Sequence, residues 1–174
     1  MEFKNIQTAK YPLSTVWPIL RDHLPEIVSA QDDIEYVKVE KRSKKAPDSV
    51  HVISTWKADP PLPSFLKSVI KPDMLIWTDD AVWSNADTTC RFTIKTRYQL
   101  ENIHCEASIQ CEAAGAKSTK ITYSGVLTIE RTPRSSIFMT GFIIRGIEAL
   151  AGTLIERNFS KTVKSLEAYI REQK

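Results

Sequence analysis

Few side chains in this sequence have the type and spacing that chemistry needs. His23, His51 and His104 are scattered, and none stands at a metal-ligand spacing from Cys90, Cys105 or Cys111. No two of these cysteines form a C-x-x-C. Asp79 and Asp80 are adjacent, so a strand would point them to opposite faces, which argues against a carboxylate pair working on one bond. There is no Gly-rich phosphate loop and no nucleophile elbow. Arg145 and Glu148 stand three apart and would be neighbours on a helix. They read first as an ion pair of small worth. The alternative is that the planar fork of Arg145 meets a ligand carboxylate or phosphate at a pocket mouth. Tyr98 and Tyr123 fall on apolar strand faces, where their hydroxyls either orient a polar ligand head or are satisfied by backbone. The residues assign no catalytic group, no metal and no cofactor.

The pattern is richer in residues that could line an apolar space. Trp56, Phe65, Leu66 and Trp77 are either core and rim packing or the walls of a cavity. Thr96, Cys105, Ala107 and Gly125 are small residues in mid-strand on apolar faces. Gly141, Gly146, Ala149 and Gly152 follow in a helical stretch beside Phe142. A glycine inside a helix costs about 1 kcal/mol relative to alanine, so several of them need a reason. Small facing small allows either a close approach of helix and sheet or a space that a ligand fills.

The element that must position all of these is the last fifth of the chain. From Ser135 to Glu172 apolar residues recur at helical spacing through Ile147, Leu154/Ile155, Phe159, Val163, Leu166 and Tyr169/Ile170. This predicts one long amphipathic helix after Pro133, capped by Ser135 or Ser136. Ahead of it, strands are expected over Glu2–Ala9, Ile34–Lys41, Val50–Trp56, Met74–Ser84, Thr89–Leu100, Ile103–Ala113 and Ser118–Glu130. Most alternate apolar and polar, which predicts a sheet greasy on one side and wet on the other. A helix capped by Ser14 and carrying Val16, Trp17, Leu20 and Leu24 separates the first two strands, with Pro18 in its first turn and Pro25 at its end. The Lys38 to Lys45 tract reads as a solvated hairpin tip that could also touch anionic lipid head groups. Asp59 to Pro72 holds three prolines in four positions, and a short helix capped by Ser64 could act as a lid.

The chain has 174 residues and a formal charge of +3, with acids and bases interspersed. Length fits residues 1–174 as one domain, expected to be a monomer, and the charge does not call for nucleic acid. Three cysteines, an odd number, argue against a disulfide framework and for a reducing, cytoplasmic setting. The opening residues carry no apolar signal core, and Arg145 and Glu148 interrupt the most apolar window.

The order strand, helix, two strands, Pro-rich segment, four strands, long helix resembles the α+β helix-grip fold of the START and birch-pollen-allergen (SRPBCC) superfamily. The opening Ala9-Lys10-Tyr11-Pro12-Leu13-Ser14-Thr15-Val16-Trp17 is similar to that family's strand-to-helix transition. Thr55-Trp56-Lys57 with Pro61-Leu62-Pro63-Ser64-Phe65-Leu66-Lys67 resembles the matching segment of PRELI-type lipid-transfer domains. The resemblance implies a curved antiparallel sheet of about seven strands wrapped on the C-terminal helix, with an apolar ligand between them. The expected function is binding or transfer of a hydrophobic small molecule, lipid or fatty-acid-like, lined by Trp56, Phe65, Leu66, Trp77, Tyr98, Ala107, Tyr123, Gly125, Phe142, Arg145, Gly146 and Ala149. A cyclase or dehydratase on the same scaffold and a protein-interaction module are the alternatives. The superfamily shares no catalytic signature, so none is carried over.

Overall fold

A computed structural model describes residues 1–62, 64–67, 72–96, 103–129 and 141–173. Its strands are β1 (Glu2–Ala9), β2 (Ile34–Ala46), β3 (Ser49–Ala58), β4 (Ile76–Ser84), β5 (Thr89–Thr96), β6 (Ile103–Gly115) and β7 (Ser118–Ile129). Helices α1 (Leu13–Asp22) and α2 (Leu24–Ser29) follow β1; a single turn, α3 (Ser64–Lys67), and a 3-10 turn over Pro72–Leu75 precede β4. The chain closes with α4 (Gly141–Glu172).

The strands form one seven-stranded sheet in the order β1-β7-β6-β5-β4-β3-β2, every neighbouring pair antiparallel. From β2 to β7 each strand pairs with the next in sequence, as short connections demand. β1 returns to the far edge beside β7. The expected α+β arrangement of about seven antiparallel strands with a long C-terminal helix is present.

The alternation read from sequence decides which side chains face the helix. Continuous register through β3, β4 and β5 puts Val52, Ala81 and Phe92 in one inward row. Val50, Trp83 and Cys90 form the next row. The C-terminal half of α4 covers this end of the sheet. Phe159, Val163, Leu166 and Ile170, at helical spacing, pack with α1 and α2 (Val16, Trp17, Leu20, Ile27) and with Ala9, Cys111 and Ile121. Leu166 is fully buried and Ile170 is 2% exposed. Polar contacts fix the same region. The Asp33 carboxylate, 1% exposed, lies 3.0 Å from Lys161 Nζ, and Gln31 Nε2 donates to Thr162 Oγ1 at 3.0 Å. Trp17 Nε1 donates to Asn85 Oδ1 at 2.8 Å, tying α1 to the β4–β5 turn.

Several boundaries differ from expectation. The first helix breaks at His23 into α1 and α2, because Pro25 suits the first turn of a new helix better than the body of an old one. Pro12, not Ser14, stands before α1 and offers no side-chain cap. Pro18 therefore lies past the first turn, where it removes the bond its N–H would give to the Ser14 carbonyl. The basic tract is not a hairpin tip: Lys38, Lys41, Arg42, Lys44 and Lys45 lie within β2, and the turn is at Pro47 and Asp48. β2 is an edge of the sheet, and charge there discourages pairing with another chain. The helix start expected at Ser135 or Ser136 and the strand end after Thr96 lie outside the described residues.

Leu166→Ala should lower unfolding free energy by about 2–5 kcal/mol, the range for a fully buried leucine, as measured by urea denaturation followed by far-UV circular dichroism.

Candidate functional site

The other half of the inward face is built differently. Here the sheet presents Ser54 and Trp56 (β3), Trp77 and Asp79 (β4), Ile94 (β5), Cys105 and Ala107 (β6) and Gly125 and Leu127 (β7), as the register requires. Ile103, Cys105, Ala107 and Leu127 are buried as a separate apolar cluster. Around it Phe3, Leu62, Leu75, Phe92, Ile94 and Tyr123 remain half-buried. Leu62, within the Pro-rich connection, and Leu75, just after it, both pack on this cluster.

Tyr123 divides the two halves. Its ring stacks on Phe159 of α4 (centroids 5.4 Å apart, planes at 19°) and on Phe92 (5.9 Å, 9°), and tilts against Phe3 (5.1 Å). Burial pushes its phenol far above the usual range, so it stays protonated. Gly125 is held small by this arrangement. A Cβ there would stand 2.6 Å from Phe3 Cζ and from Ala107 Cβ, and 2.5 Å from the Glu106 carbonyl oxygen. The space beside Gly125 is thus taken by the Phe3 ring, its cross-strand partner.

The polar member of this face is Asp79. It pairs across the sheet with Ser54 on one side and Ile94 on the other, among apolar neighbours. Its Oδ1 is buried and makes no hydrogen bond. Desolvation, reinforced by the charge of the adjacent Asp80, pushes its carboxyl from 3.8 up to about 7. Asp80 itself points to the outer face and meets His51 Nε2 at 2.7 Å. One inward position along β3, Trp56 stacks on its cross-strand partner Trp77 (5.8 Å, 15°), and its Nε1 is also buried without a partner. Two unsatisfied polar atoms on one apolar surface are unusual, because each costs about 1–3 kcal/mol.

The cysteines offer no nucleophile. All three are free and buried, and desolvation raises Cys105 to about 11, Cys111 to about 12 and Cys90 well above its ordinary value. Among the described residues no cluster of metal-binding side chains occurs. An open hollow of about 960 Å³ lies across the opposite, wet face of the sheet, lined by Lys4, Asp80, Arg91, Glu106, Ser108 and Ser124. Phe3, Phe92, Ala107 and Gly125 also contribute to its lining.

No protein-family profile matches the sequence, and no curated protein matches it. Solved structures do match in shape. An aromatase/cyclase from a Streptomyces strain superposes with TM-score 0.70 at 12% identity, over 99% of this chain and 94% of that one. Norcoclaurine synthase from Thalictrum flavum, in complex with dopamine and hydroxybenzaldehyde, gives 0.63 at 12% over 100% and 88%. A START superfamily protein from Mycobacterium smegmatis gives 0.53 at 10% over 99% of both chains. The chain has the START/SRPBCC helix-grip fold. No helix among the described residues is long and apolar enough to cross a membrane.

In this helix-grip frame the expected lining residues fall into distinct groups. Trp56, Trp77, Ala107, Tyr123 and Gly125 do share the inward face of the sheet. Ala149 is exposed, so it does not line a closed interior, and Gly152 sits 3.7 Å, measured from where a Cβ would be, from Met1 Sδ of the edge. Tyr98 and the side chains of Phe65, Leu66, Phe142, Arg145 and Gly146 lie outside what the structure describes. Asp79 is the residue that sequence reasoning passed over. Its parity with Ala81 and Trp83 was the available signal, and it places a carboxylate on the apolar side.

Between pH 4 and 7 the folded protein holds the Asp79 proton while the unfolded chain has released it. Stability therefore falls as pH rises through that window and levels off above about 7. Asp79→Asn should match wild type near pH 4 and exceed it at pH 8 by roughly 1–3 kcal/mol in chemical denaturation.

Proposed function

We propose that this chain binds, and hands on, a hydrophobic small molecule held between the inward face of the sheet and the N-terminal half of α4. The observation that carries this reading is the unequal closure of the two halves. The C-terminal half of α4 seats side chains that are 0–8% exposed. Away from that contact the apolar face keeps Ile94, Leu62 and Leu75 only half-buried, although a packed core of this size would bury them. Burial of an apolar guest there contributes about 25 cal/mol per Å². In this reading the Pro60 to Pro72 connection gates exchange, which the packing of Leu62, near its start, and Leu75, just after it, supports. Small organic guests fit the fold's neighbours: one is named an aromatase/cyclase, and another was solved in complex with dopamine and hydroxybenzaldehyde.

Asp79 favours a second reading, an enzyme on the same scaffold. A carboxyl with a pKa near 7 on an apolar wall is suited to proton transfer at neutral pH. Asp79 is the acid/base candidate for that reading.

Gentle purification followed by native mass spectrometry and lipid extraction should reveal a co-purifying apolar molecule. The stripped protein should take up a fluorescent hydrophobic probe with micromolar affinity, of the order of 8 kcal/mol. A chain that is empty and takes up no probe ends the carrier reading. For the enzyme reading, Asp79→Asn should abolish turnover of any substrate found while leaving its binding within about threefold.

A further inference from the structure

We propose that Asp79 and Trp56 form a polar subsite that selects apolar ligands carrying a neutral hydroxyl group, an alcohol or phenol, over those ending in a carboxylate. The inference rests on the carrier reading and names the chemistry of its ligand. It starts from two atoms of complementary character. Trp56 Nε1–H donates only, and the ionised Asp79 carboxylate accepts only. Both are buried on the inward face without a protein partner. They occupy successive inward positions of neighbouring strands, since Asp79 pairs with Ser54 and Trp56 lies two residues beyond Ser54.

A hydroxyl is the smallest group that satisfies both, accepting from the indole and donating to the carboxylate. A hydrocarbon satisfies neither and leaves both costs standing. A carboxylate satisfies the indole but brings like charge against Asp79, in surroundings that already disfavour a single negative charge. Nothing cationic among the described residues of this face offsets that repulsion. The ionisable groups that share it with Asp79 are the thiols of Cys90 and Cys105 and the phenol of Tyr123, all held neutral, while Asp80 adds further negative charge from behind. The stacked Trp56 and Trp77 rings supply a flat apolar wall next to the subsite. The preferred guest is therefore a neutral, ring-bearing or long-chain molecule with a terminal hydroxyl.

Isothermal titration calorimetry at pH 8 with 2-naphthol, 2-methylnaphthalene and 2-naphthoate separates these cases, because the probes share one aromatic body. Wild type should bind 2-naphthol about tenfold more tightly than either of the others. In Trp56→Phe and in Asp79→Leu the ratio of 2-naphthol to 2-methylnaphthalene affinity should fall towards one, while 2-methylnaphthalene still binds. Reading the ratio cancels any change in the shape of the wall. Should Asp79→Leu fail to fold, Trp56→Phe decides alone, since it removes the donor and keeps an aromatic ring. A hydroxyl preference that survives these replacements, or a wild type that favours naphthoate, overturns the subsite and leaves the carrier reading intact. If none of the probes binds and no apolar molecule co-purifies, the carrier reading fails and the subsite falls with it.

Discussion

The structure depends on how one amphipathic helix divides its contact with one sheet. Phe159, Val163, Leu166 and Ile170 lock the C-terminal half of α4 onto α1, α2 and one end of the strands. Lys161 against the buried Asp33 and Gln31 against Thr162 fix it laterally. A buried pair of this kind adds little net stability, but removing one partner strands a charge in the interior, so it specifies where the helix sits. With that half pinned, the preceding turns of α4 run past the edge strand β1, where Gly152 approaches Met1.

The aromatic stack at Tyr123 marks the boundary. Phe159 reaches it from the helix, Phe92 from the neighbouring region of the sheet and Phe3 from the edge strand. Phe3 can lie there only because residue 125 has no side chain, given the 2.6 Å its ring would leave to a Cβ. Glycine at this position thus serves close packing between β1 and β7, not an open volume. On the far side of this stack the inward face continues through Ile94, Asp79 and the paired tryptophans.

Much of the fold was legible because it is written in periodicity. The 3.6-residue recurrence from Phe159 to Ile170 and the twofold alternation in β5, β6 and β7 are strong local signals, and the short turns left antiparallel pairing as the simple solution. What failed was local chemistry that tertiary contacts override. The lysines of β2 resembled a solvated loop, yet an edge strand is solvated as well and tolerates them. Ser14 resembled a cap, yet Pro12, fixed in an extended conformation, starts the helix two residues earlier. Alternation also contained the inward carboxyl of Asp79. Adjacency of Asp79 and Asp80 ruled out a paired-carboxylate site, and the same rule, carried one step further to Ala81 and Trp83, puts one of the two on the apolar side.

That placement is the feature hardest to explain by stability alone. A leucine at position 79 would extend the apolar row through Ile94 and remove a desolvation penalty, and Asp80 already supplies the outer face with its charge and its contact to His51. Proteins hold unsatisfied polar groups in apolar surroundings at a cost that function must offset. Trp56 repeats the pattern, since a phenylalanine would stack on Trp77 without leaving an indole N–H unpaired. Two such groups on adjoining strands, one an acceptor when ionised and the other a donor, describe the negative image of a polar group on an otherwise greasy molecule. The tight half of the helix–sheet contact, with Leu166 and Ile170 buried, supplies stability that offsets the cost of these two unpaired groups.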